Sequence, residues 1–124
     1  MLKTALTFSV AGLSLVMASA PAGAAKPDDD LKVVAEALLD GDYAGAEEQI
    51  GAMGLTDRND PAMLINLGNA YAGMGRRADA QLAYKAALDA HNQIDLDMAD
   101  GSVRSSREVA LDGLRQLGVD IAGL

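Results

Sequence analysis

Laid over itself with an offset of 34 residues, the chain matches at positions that govern how helices pack. Gly75 falls on Gly41, Ala80 on Ala46, Tyr84 on Ile50, Ala87 on Met53, Leu67 on Val33 and Ile65 on Leu31. In the second copy, Asp60-Pro61 reads as a helix start. Aspartate accepts from the first free N–H groups, and proline sits where its missing N–H costs nothing. Leu64, Leu67, Gly68, Tyr71 and Met74 follow at helical spacing, and Gly75 stops the run. A second helix spans about residues 77–90, with Ala80, Tyr84, Ala87 and Leu88 on one face. A joint of so few residues makes the two helices antiparallel neighbours. One such hairpin cannot bury its own apolar face, whereas stacked copies can. The period therefore predicts an all-α chain, a short α-solenoid of two antiparallel helical hairpins.

The second copy resembles the tetratricopeptide repeat. Leu64, Leu67-Gly68, Tyr71, Gly75, Ala80, Tyr84 and Ala87 stand at the family's spacing, and the run Asn66-Leu67-Gly68-Asn69-Ala70-Tyr71 is a close match. Small Gly68 and Ala80 would let two helix backbones approach, while Tyr71 and Tyr84 would fill gaps between hairpins. The first copy, about residues 27–60, keeps Gly41, Ala46 and the apolar spacing. It has Val34 where the family has a glycine and Ala37 where it has an aromatic; Arg58 and Asn92 replace the family's proline. The resemblance thus covers about residues 27–94. Beyond it, residues 92–101 read as an acidic connection. A last helix over about 102–118 carries an apolar stripe of Val103, Ala110, Leu114 and Leu117. Ser105 and Glu108 have capping-box spacing, and Gly118 ends that helix. Ala110, Leu114 and Leu117 echo Ala80, Tyr84 and Ala87 with no partner helix before them. A capping helix over the second hairpin is therefore expected, because a stack otherwise leaves its end face in water.

The first 24 residues read as a leader. After Lys3 no charge occurs until Lys26, and Leu6, Phe8, Val10, Leu13, Leu15, Val16 and Met17 make the stretch apolar. Pro21 breaks it, and Ala22-Gly23-Ala24 offers the small-x-small pattern of a cleavable signal peptide. A competing cut after Ala20 would leave Pro21 just beyond it, a poor fit. The uninterrupted apolar part is shorter than the roughly 20 residues a membrane span requires. This predicts export to the periplasm or outside the cell, no stable membrane insertion after cleavage, and a helical domain over 25–124. Asp28, Asp29 and Asp30 are expected just before its first helix, where negative charge suits the helix N-terminus.

Composition excludes much chemistry. The chain has no cysteine and no tryptophan, a single histidine and a formal net charge of −8. Disulfides and thiolate metal sites are ruled out. A nucleic-acid partner, which needs clustered cations, is not expected. Acidity concentrates in residues 26–60, net −7, against −2 for 61–124. A basic partner steered to the first hairpin is the corresponding expectation. His91 reads as a helix C-terminal residue rather than a ligand. From Asp95 to Gly101 alternate aspartates imitate a calcium loop, but the fifth, sixth and twelfth places hold Ala99, Asp100 and Ser106. No nucleophile–base pair, phosphate loop, metal cluster or cofactor site emerges, and no enzyme activity is expected.

What the resemblance implies is a protein-binding scaffold whose first helices line a concave groove. Leu31, Ala35 and Leu38 would line it from the first copy, with Ala62, Ile65, Asn66, Asn69 and Ala72 from the second. Asn66 and Asn69 would hydrogen-bond a protein or peptide partner, or else merely satisfy local backbone and water. Apolar Leu31, Ala35 and Ile65 argue against the basic carboxylate clamp of the family's chaperone-binding members. The rival expectation is a homo-oligomer with no separate ligand.

Overall fold

A computed structural model describes residues 16–18, 25–53 and 60–124, with side-chain surroundings for 32–53 and 60–124. Most of the expected leader, the 54–59 link and the side chain of Leu31 lie outside these. Five helices occur among the described residues: α1 (Ala25–Leu39), α2 (Tyr43–Ala52), α3 (Pro61–Gly73), α4 (Arg77–Asp89) and α5 (Ser106–Gln116). Asp28–Asp30 lie inside α1, not ahead of it. Pro27 permits the earlier start, since N–H groups of a first turn have no helical acceptor to lose.

The joints repeat as the 34-residue offset requires. Asp42 N donates to Ala37 O at 2.9 Å after α1, and Arg76 N donates to Tyr71 O at 2.8 Å after α3. Gly41 (φ +78°) and Gly75 (φ +76°) make the turns, in a left-handed conformation that side chains disfavour. The same closure ends α5, where Gly118 has φ +76° and Val119 N donates to Leu114 O at 3.0 Å. At the other end of α3, the Asp60 carboxylate accepts from Ala62 N at 2.9 Å, ahead of Pro61.

Each helix packs on the next, and α3 also meets α1 and α5. Two helices close on the Tyr84 ring of α4. A Cβ on Gly68 would lie 2.6 Å from it, and one on Gly113 of α5 would lie 2.7 Å from it. The ring is gripped by glycines from two helices, and its hydroxyl donates to buried Asn69 Oδ1 at 2.6 Å. Ala80, Ala87, Leu88, Val109, Ala110 and Leu114 complete the core around it. A smaller cluster of Val34, Leu38, Tyr43, Ala46 and Ala70 joins α1 and α2 to α3, and there Gly73 makes room for the Tyr43 ring. Tyr71 is half-buried with Arg76 stacked over its ring, 4.5 Å from the centroid.

The expectation of helix throughout fails between α4 and α5. Residues 95–105 form an antiparallel hairpin of β2 (Asp95–Met98) and β3 (Val103–Ser105), not an acidic loop. Leu96 and Met98 are buried and Asp95 and Asp97 exposed, the alternation of a strand with one covered face. Gly101 (φ +86°) turns the chain, and Asp100 Oδ1 accepts from both N and Oγ of Ser102 at 2.9 and 2.6 Å. The last helix consequently starts at Ser106, with the expected capping box of Ser105 and Glu108. Gln93 clasps the ends of α4 and α5. Its Nε2 donates to the Ala87, Leu88 and Ala90 carbonyls, and its Oε1 accepts from Ser106 Oγ at 2.7 Å. A third strand, β1 (Val16–Ala18), pairs antiparallel with β2, so the sheet order is β1-β2-β3.

Candidate functional site

The layer α1–α3 is the face the sequence nominates for recognition. Ala35 and Leu38 on α1, and Ala62, Ile65, Asn66 and Asn69 on α3, are all essentially inaccessible; only Ala72 is half-buried. The expected exposed lining is therefore core. Leu96 and Met98 of β2 belong to the same apolar cluster as Ala62 and Ile65, and β1 lies against α1 and α3. Asn69 is used internally, accepting the Tyr84 proton, and cannot greet a partner in this arrangement. Buried amides need such partners, because an unmet one costs about 1–3 kcal/mol.

One edge of β2 and the helices α1 and α3 all meet the same short segment. That segment is the extended Val16–Ala18. Val16 is paired with Met98 and Ala18 with Asp97, with a register shift between them. The outer face of β2 carries exposed Asp95 and Asp97.

Elsewhere the surface is ion-paired. Arg76 bridges Glu47 of α2 at 3.2 Å and Asp79 at 2.9 Å, tying the first hairpin to the second joint. Such exposed pairs contribute little, about 0–1 kcal/mol each. Asp112 is held by Arg104 and by Arg115, the latter at 2.7 Å. Burial pushes its carboxyl up, but the two guanidinium groups outweigh this and hold it below the ordinary 3.8. The Asp100 carboxyl is lowered too, first through the Ser102 hydrogen bonds. Burial raises the Tyr84 and Tyr43 phenols. His91 is exposed just past the end of α4. Among the described residues no three His, Cys, Asp or Glu side chains gather as a metal site, and no helix is long and apolar enough to cross a membrane.

Leu96, Met98, Gln93, Ser106 and Gly113 are the residues sequence reasoning missed. Alternating Leu96 and Met98 ahead of Asp100-Gly101 is a hairpin signal. Comparison with known families, curated proteins and solved structures finds no match to this chain.

Proposed function

We propose that this chain is an exported protein-interaction module of the tetratricopeptide-repeat type. In this reading α1–α2 and α3–α4 are two repeats, and α5 is the first helix of a third. Its support is the shared closure at Gly41, Gly75 and Gly118, together with the paired approach of Gly68 and Gly113 to one tyrosine. The observation that carries the binding role is the extended segment seated across α1 and α3. A face that accepts one extended chain in cis has the shape to accept another in trans. The leader is removed after Ala24 or nearby, and the protein works in the periplasm or outside the cell.

Crosslinking in the native envelope, followed by mass spectrometry, tests this reading. One defined partner crosslinked to a monomer is expected, and N-terminal sequencing should begin near Ala25. Half-exposed Val33 and Leu39 on α1 favour the rival, a homo-oligomer without a separate ligand. A concentration-independent dimer mass in light scattering, with no other crosslinked protein, would decide for that rival.

A further inference from the structure

We infer that the processed chain binds its partner by strand addition: an extended partner segment pairs antiparallel with the free edge of β2, in the place beside α1 and α3 that Val16–Ala18 takes in the intact chain. This rests on the protein-binding and leader readings above and specifies how the partner is held. β2 is the central strand of its sheet, and its second neighbour is a segment that precedes α1. Removing that segment strips the β2 edge of hydrogen-bond partners beside α1 and α3. Unmatched strand edges recruit other strands, because backbone donors and acceptors away from water need partners.

The chemistry of the occupant follows from β2. Strand side chains alternate, so a residue opposite Met98 shares its inward face and a residue opposite Asp97 shares its outward one. Inward places share the side of β2 on which Leu96 and Met98 meet Ala62 and Ile65 of α3. They call for small apolar residues. Outward places stand across from Asp95 and Asp97 and call for lysine or arginine. The partner segment is thus an extended stretch of alternating apolar and basic residues, held mainly through its main chain.

The test uses protein purified from exporting cells, its N-terminus read by mass and its helicity by circular dichroism. The probe is a synthetic peptide of residues 12–21 of this chain, titrated by calorimetry. Expected are a start near Ala25, a folded protein, saturable binding, and slowed amide exchange confined largely to Asp95–Met98. A peptide with both paired residues changed, Val16→Pro and Ala18→Pro, should bind at least about tenfold more weakly, because proline cannot donate to the ladder at either paired position. One with Ala18→Lys should bind roughly two- to fivefold more tightly at low salt. A correctly processed, folded chain that ignores the peptide, or binds the proline form equally, overturns the strand site and leaves the leader reading standing. An intact Met1 overturns the leader reading itself, and with it the vacated edge. A processed chain without its helical signal also refutes the site, since β1 would then be integral to the fold.

Discussion

Substituting Gly68 by alanine adds one methyl group where the core has no space for it. The new Cβ would lie 2.6 Å from Tyr84 Cε1, whereas ordinary contact begins at 3.4 Å, so the parts must separate by about 0.8 Å. The ring has no room to retreat. Gly113 presses its neighbourhood from α5, and the hydroxyl is tethered to Asn69 at 2.6 Å. Helix α3 itself must shift. Overpacking of this kind costs about 1–3 kcal/mol, while alanine recovers up to about 1 kcal/mol of helix propensity. A net loss of roughly 1–2 kcal/mol lowers Tm by about 4–8 °C for a domain of this size. Gly51→Ala is the internal control: Gly51 sits in α2 with nothing within 4 Å, so the same change should raise Tm by about 2–4 °C. Differential scanning calorimetry on both variants reads opposite signs if the geometry is right. In a Tyr84→Leu background the Gly68→Ala penalty should fall by more than half. A Gly68→Ala protein as stable as the parent, or a penalty indifferent to the tyrosine, would refute the contact.

The two buried phenols should behave differently. Tyr84→Phe removes a buried hydroxyl from Asn69 and should cost about 1–3 kcal/mol in urea unfolding, whereas Tyr43→Phe should be neutral or stabilising, because the Tyr43 hydroxyl is buried with no hydrogen-bond partner among the described residues. Asp112 has a lowered folded pKa, so its contribution is present above pH 3.8 and fades as pH falls through the folded value. Thermal melts from pH 5 to 2 should show a shallower acid decline for Asp112→Asn. Tyr84 runs the opposite way: its raised folded pKa stabilises below about pH 10 and that contribution disappears on alkalinisation, so its phenolate absorbance at high pH should rise together with loss of helix. Ser106→Ala breaks the Gln93 clasp and the bond from Ile94 N at 3.1 Å, and should cost about 1–2 kcal/mol by calorimetry.

Local chemistry made the helices readable. Asp60-Pro61, the glycine stops and the Ser105–Glu108 box act within one turn, and each appears where the residues place it. The hairpin between α4 and α5 escaped for two reasons. Its aspartates invited comparison with a cation loop, and it adds residues to the connection, which hides any third unit from a fixed period of 34. Gly113 illustrates the loss: compared with second-helix positions it looks idle, yet it meets Tyr84 as Gly68 does. The burial of the expected groove residues has a different ground. Ala62 and Ile65 lie on an anticipated helix, but residues distant in sequence, Leu96 and Met98 among them, share their core. No local pattern announces which distant strand will cover a helix face.

The Gln93–Ser106 clasp fixes the points where the chain leaves α4 and enters α5, and the hairpin it encloses ends in an exposed tip at Asp100-Gly101. Extra chain spliced there would meet only solvent while both anchors stay in register. Lengthening such a loop costs only about 0.6 kcal/mol per doubling. This junction is accordingly where a fluorescent tag, an epitope or a whole foreign loop can be grafted, and where descendants of this architecture can diversify first.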